Sequence, residues 1–350
     1  AGADDCDADG NRVRINWGAY VLDNANPELI TYWLNRVIFP HVRDYHVNAI
    51  RIDAAWGLDP QGLTRLIRDT KATFPHVWFL AENLGMDQLI NLARTGLEAG
   101  AERYFNNYYW YTGGRGIPID VYRLQKQSGN KPTCTIFGNH DVLMPAMRAI
   151  TQLRADRYRD VDLNNPRAVL RRLSEQEGLI SCASLTPEEQ NAIARQLALD
   201  FLLACFLSTD VMFGAGSERC LIEKVDVLRS GPEHFARGIS SSLPSMMKQI
   251  LQIKSSDPLF NAEGVVMPVG DWKPGKAAIK GFVRRTGKRY LLVLISTDHQ
   301  YPQSFKLPAV FRQATHVANY TSDGRCLGAG RDLPRSITVP PASALLLSTQ

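Results

Sequence analysis

The apolar positions of this chain fall into two patterns that alternate along most of its length. Short apolar runs ending in polar residues predict buried strands at Ala49 to Ile52, Val77 to Ala81, Arg103 to Asn106, Thr133 to Phe137 and Val211 to Phe213. Between them lie stretches with helical spacing. Leu63, Leu66, Ile67 and Thr70 recur at i, i+3, i+4 and i+7 and predict an amphipathic helix over Pro60 to Thr73. Thr186-Pro187-Glu188-Glu189 is a capping box with Pro at the first helical position, and it opens a helix predicted to run through Leu207. Strands alternating with helices from about Pro27 to Ser256 predict βα units on a parallel sheet, whose function sits at the strand C-termini. The segment Asp156 to Ser184, rich in Arg and Asp and with a helical run around Ala168 to Gln176, is longer than a typical βα loop and reads as an insertion. After Pro258 the pattern changes to Ile279 to Arg284, Tyr290 to Ser296 and Ser343 to Ser348, separated by Thr286-Gly287-Lys288 and Ser322-Asp323-Gly324. This predicts a separate all-β sandwich domain. The expected domains are 1–256 and 257–350.

Composition narrows the function classes. The 350 residues carry 40 Lys+Arg against 35 Asp+Glu, a net charge of +5 that argues against a dedicated nucleic-acid binder. The longest apolar stretch, Phe201 to Leu207, is broken by Ser208, Thr209 and Asp210, far short of the roughly 20 residues of a membrane span. Six cysteines without C-x-x-C spacing indicate neither zinc nor a disulfide framework, and reduced thiols in a soluble cytoplasmic protein are the expectation. The start, Ala1-Gly2-Ala3-Asp4, has no Met and no leader-like run, which reads as a processed or excised chain.

Candidate chemistry lies at the ends of three predicted strands: Arg51-Ile52-Asp53, Ala81-Glu82-Asn83 and Gly138-Asn139-His140-Asp141. Asp53, Glu82 and Asp141 would face one rim. A carboxylate pair there suits glycosidic-bond cleavage, one group attacking or stabilising the anomeric centre and the other protonating the departing oxygen. Arg51, two residues before Asp53, shares its face of the strand and would hold it ionised. Each motif alone reads as readily as a cap or surface ion pair. Together, in this order and each on its own strand, they are specific.

These motifs resemble the α-amylase superfamily, glycoside hydrolase family 13, whose barrels carry R-x-D after the fourth strand, E after the fifth and N-H-D after the seventh. Trp17 with Leu22 to Glu28 looks like the family's stretch before the fourth strand, and Val211 to Glu218 like its eighth-strand end. The resemblance covers nearly the whole chain. It implies a (β/α)8 TIM-barrel type fold, of which about the last five βα units are evident, with a C-terminal all-β sandwich. It implies Asp53 as nucleophile, Glu82 as general acid and base, and Asp141 as stabiliser of the transition state. His140, Asn139 and Arg51 would complete the subsite, with an α-glucan or malto-oligosaccharide as substrate and a carboxyl separation of roughly 5–5.5 Å.

The chain departs from the family in two places. Only 50 residues precede Arg51, too few for three βα units at about 30 residues each, and they lack the family's D-x-x-x-N-H motif. This implies either the C-terminal part of a longer enzyme, completed by an N-terminal segment or a second chain, or a degenerate member. After Asp53, Ala54-Ala55-Trp56-Gly57 replaces the Lys-His of many amylases. Trp56 and, from the cluster Tyr104 to Tyr111, Tyr109, Trp110 or Tyr111 are the candidate sugar-stacking residues, with core packing as the alternative reading. Similarity of that cluster to the maltosyltransferase branch keeps transfer open beside hydrolysis, and a non-catalytic glucan-binding protein is the rival class. No cofactor is required. Asp5, Asp7 and Asp9, followed by Gly10, imitate the start of a calcium loop, but position 12 is Asn16, and a solvated polar turn is the default reading. His46 and His76 precede strands and take structural roles. No G-x-S-x-G motif supports a serine hydrolase.

Overall fold

A computed structural model describes residues 2–6, 12–16, 23–82, 95–106, 122, 125–126, 128–138, 144–161, 166–173, 185–222, 225, 230–238, 242–262, 264–270, 279–296, 298, 300–311, 316–320 and 334–349. Two compact units are present, residues 1–105 with 160–177 and residues 106–159 with 178–350.

The first unit begins with an antiparallel pair, β1 (Gly2–Cys6) and β2 (Arg12–Asn16), in which Asp5 faces Val13. A helical run follows: α1 (Pro27–Tyr32), a π-helical stretch Trp33–Ile38, then α2 (Phe39–Tyr45). Asn26 starts it, its side chain accepting from the Glu28 N–H at 2.8 Å, with Pro27 at the first helical position. Pro40 explains the π-helical stretch. Its nitrogen cannot donate and its ring would crowd the carbonyl four residues back, so the helix widens and the Phe39 N–H bonds five residues back, to Leu34 O. The run ends at His46 in the left-handed conformation, φ 56°.

Strand β3 (Ala49–Ile52) lies parallel to β4 (Trp78–Ala81), with α3 (Pro60–Thr73) as the crossover. Asp59 caps α3 by accepting from the Gly62 N–H at 2.7 Å. The helix buries Leu63, Ile67 and Thr70, the face its spacing predicts. These pack with Ile30, Leu34, Ile38, Val42, Val77 and Phe79, and a fully buried Leu or Ile contributes about 1.5–3 kcal/mol. β4 also pairs in parallel with β5 (Arg103–Phe105), where Tyr104 and Phe105 are fully buried.

The second unit contains β6 (Thr133–Phe137), parallel to β7 (Asp210–Phe213). Within each unit the parallel strands follow chain order, β3-β4-β5 in the first and β6-β7 in the second. Between β6 and β7 lie α4 (Pro145–Leu153) and α5 (Pro187–Leu207); the insertion's helix, Pro166–Arg171, belongs to the first unit. The capping box of α5 is formed: Thr186 Oγ1 accepts from the Glu189 N–H at 3.2 Å, and Glu189 Oε2 accepts from the Thr186 N–H at 3.0 Å.

The C-terminal strands form one antiparallel sheet in the order β12-β14-β10-β9-β8, comprising His316–Tyr320, Ala344–Ser348, Arg289–Ser296, Ile279–Thr286 and Val265–Gly270. A second pair, β11 (Gln303–Lys306) and β13 (Ser336–Val339), covers one of its faces. Val283, Leu292 and Leu294 of the larger sheet pack there with Leu307, Phe311 and Val339, which is the expected sandwich.

Successive side chains on β9 alternate, so Arg284 points away from that core, toward the end of α5. There it donates to Phe206 O at 3.3 Å and to Leu259 O and Phe260 O at 2.6 Å each. Lys254, on α6 (Leu243–Ser256), donates to Cys205 O at 2.6 Å and to Ser208 O and Phe260 O at 3.2 Å each. These two buried cations satisfy carbonyls that the end of α5 leaves without helical partners, and they complement its dipole.

Candidate active site

The first unit assembles three of the expected residues. Arg51 and Asp53 point to the same side because β3 alternates its side chains. Arg51 Nη1 donates to Asp53 Oδ1 at 2.7 Å, and Nη2 donates to Glu82 Oε1. The Glu82 N–H donates to Ile52 O at 2.9 Å, extending the β3–β4 ladder by one step and setting Glu82 beside the turn that follows β3. Its second oxygen, Oε2, accepts from the Ala54 N–H at 2.8 Å. The guanidinium carbon of Arg51 lies 5.9 Å from the centre of the Phe105 ring, which backs it from β5.

The two carboxyls occupy different surroundings. The Asp53 side chain is 79% exposed, and that of Glu82 is 6% exposed. Burial pushes Glu82 up to about 7; the Ala54 N–H opposes this, Asp53 within hydrogen-bonding reach adds to it, and the Arg51 charge opposes it. A buried acid that holds its proton near neutral pH beside an exposed carboxyl is the division of labour that acid-assisted displacement requires. One guanidinium, that of Arg51, holds both carboxyls.

Other expected residues are placed less fully. Trp56 sits in the short 3-10 turn Ala55–Gly57, its side chain outside the described residues. Tyr109, Trp110, Tyr111, Asn139, His140 and Asp141 lie outside the described residues. Gly138, just before them, ends β6 with φ 75°, and its carbonyl accepts from the Gly214 N–H at 3.0 Å. A Cβ there would lie 2.7 Å from Pro145 Cγ. Of the calcium candidates, Asp5 lies in β1, while Asp7 and Asp9 are outside the described residues; among the described residues no cluster of three or more His, Cys, Asp or Glu could hold a metal. His46 and His76 are exposed.

Sequence reasoning missed Ala54, whose φ of 43° and ψ of 43° are left-handed. Alanine carries no signal for that conformation. It also missed a buried polar knot in the second unit, where Asn106 Nδ2 donates to Thr135 Oγ1 at 2.7 Å and to Ser208 Oγ at 2.8 Å.

No protein-family model and no curated protein matches the sequence. Solved structures do match. The α-amylase of Geobacillus thermoleovorans complexed with acarbose aligns at TM-score 0.63 and 13% identity, over 95% of this chain and 69% of that one. The fold is similar to that of this α-amylase. AmyP in complex with maltose aligns at TM-score 0.58 and 11% identity, over 98% of this chain and 71% of that one. A cyclomaltodextrinase aligns at TM-score 0.57 and 12% identity, over 93% of this chain but only 49% of that one. The chain thus has the α-amylase type of barrel strands with a C-terminal β domain, and it spans part of the length of each neighbour. Among the described residues no helix is long and apolar enough to cross a membrane.

Proposed function

We propose that this chain carries the catalytic carboxylates of a retaining α-glucan-active enzyme, acting on α-glucosidic bonds of malto-oligosaccharides by hydrolysis or transfer. The observation that carries the reading is the fork of Arg51 between an exposed Asp53 and a buried Glu82 with a raised pKa. In this reading Asp53 attacks the anomeric carbon while Glu82 gives its proton to the departing oxygen. Glu82 then takes a proton from water, or from an acceptor sugar, as that oxygen displaces Asp53. Arg51 keeps Asp53 ionised and aimed. Asp141, with Asn139 and His140, binds sugar hydroxyls and stabilises the positive charge developing on the ring, and Trp56 and Trp110 stack on sugars. A domain boundary near residue 257 and a calcium role for Asp5, Asp7 and Asp9 belong to the same proposal.

The neighbours' complexes with acarbose and maltose support the substrate class. Among the described residues β3 pairs with β4 alone and β7 with β6 alone, and Met212 and Phe213 on β7 are 37% and 40% exposed. This supports completion of the barrel by further parallel strands, supplied by an N-terminal segment or a second chain. A second reading, a non-catalytic glucan-binding protein, is favoured by Ala54-Ala55-Trp56-Gly57 standing in place of the Lys-His that follows the nucleophile in many amylases. Turnover of a defined malto-oligosaccharide, with Asp53→Asn as control, separates the two. α-Configured products lost in the variant support the enzyme; glucan binding by both proteins without turnover supports the rival.

A further inference from the structure

The turn that follows Asp53 contains a contact with a consequence for the acid. We propose that Ala54 is a positioning residue: held in the left-handed conformation, its backbone N–H fixes Oε2 of Glu82 and sets the carboxyl against Arg51. This rests on the reading of Glu82 as the acid and adds a part that no side chain supplies.

The left-handed region is unfavourable for a residue with a Cβ, and such residues persist where surrounding contacts over-determine them. At Ala54 two hydrogen bonds do so: its N–H donates to Glu82 at 2.8 Å and its carbonyl accepts from the Gly57 N–H at 2.8 Å, and the adjoining Ala55 is fully buried. The Glu82 backbone is bonded to Ile52, so the carboxyl and the turn are anchored to each other at both ends. Among the described residues, the groups facing Glu82 are Arg51, from β3, and Asp53 and the Ala54 N–H, from the turn. Arg51 is shared with exposed Asp53, so it can follow either partner. The Ala54 N–H belongs to the main chain and cannot.

A backbone donor favours the ionised carboxyl, so removing it raises the Glu82 titration midpoint. The test is a carbon-13 NMR titration of the Glu82 carboxyl in the 350-residue chain. The amide between Asp53 and Ala54 is replaced by an ester through an α-hydroxy acid at position 54, which deletes the N–H and keeps the side chain. The expected result is a midpoint raised by about one pH unit. Ala54→Gly, at ease with a positive φ, should leave the midpoint within a few tenths and raise the melting temperature by about 2–4 °C. An unmoved midpoint in the ester protein overturns the inference, and so does an equal upward shift in Ala54→Gly. Ala54→Val, which disfavours the left-handed conformation, should also raise the midpoint, and a folded Val variant with an unmoved midpoint overturns the inference independently. The titration reads the position of Glu82 whether or not the chain turns over sugar, so failure of the enzymatic reading is told apart by the turnover assay.

Discussion

Replacing Glu82 by Gln should make the protein's stability less dependent on pH, and the size of the change follows from the site. Glu82 is 4% exposed, and burial raises it from an ordinary 4.5 to about 7. A carboxyl whose folded pKa lies above its unfolded value favours the folded state most below the unfolded value. That advantage is lost as pH rises through the window from about 4.5 to about 7. At about 1.4 kcal/mol per pH unit of difference, the loss is roughly 3 kcal/mol. Gln cannot ionise and does not suffer it. Both Glu82 oxygens accept hydrogen bonds, from Arg51 and from the Ala54 N–H, so the Gln amide nitrogen must meet one donor. That penalty is independent of pH and shifts the whole curve. Urea unfolding followed by circular dichroism at pH 4, 6 and 8 reads the difference between the two proteins. The variant should gain about 3 kcal/mol on wild type between pH 4 and pH 8. Parallel curves would refute a buried, proton-holding Glu82, and with it the assignment of the acid.

Three further outcomes are expected. Lys254→Met leaves the carbonyls of Cys205, Ser208 and Phe260 without this donor, and urea unfolding at pH 7 should register a loss of about 2–4 kcal/mol. Gly138→Ala places a Cβ 2.7 Å from Pro145 Cγ at φ 75°, so a stability loss of about 2 kcal/mol or more should appear in the same assay. Burial pushes the Cys205 thiol up to about 12, so mass spectrometry after iodoacetamide treatment at pH 8 should find Cys205 unmodified in the folded protein and modified in urea.

The parallel strands were legible because each is a short apolar run stopped by a polar residue; β3 and β6 begin and end where that pattern places them. Helices α3 and α5 were legible to the residue, since Asp59-Pro60 and Thr186-Pro187 each pair a capping side chain with Pro at the first helical position. The β1–β2 pair was not legible: Gly2 to Cys6 holds Asp4 and Asp5 and lacks a strand's apolar alternation. The Pro40 effect on the helix and the left-handed turn at Ala54 depend on what surrounds those residues. So does the conversion of Glu82 from an ordinary carboxyl to a raised one, which burial produces and no local pattern encodes. The fork itself was half legible, since Arg51 and Asp53 share a strand face by period, whereas Glu82 joins them only through the pairing of β3 with β4.

The most direct test of the central claim is turnover of a defined malto-oligosaccharide by the purified chain, beside Asp53→Asn, with product anomer and length recorded. The account predicts α-configured products from the wild-type chain, lengthened species where transfer competes with hydrolysis, and a loss of several powers of ten in the variant at an unchanged melting temperature. Equal turnover by the two proteins would contradict the assignment of Asp53. Absence of turnover even when an N-terminal segment carrying further barrel strands is added would contradict the enzymatic reading and leave glucan binding as the function.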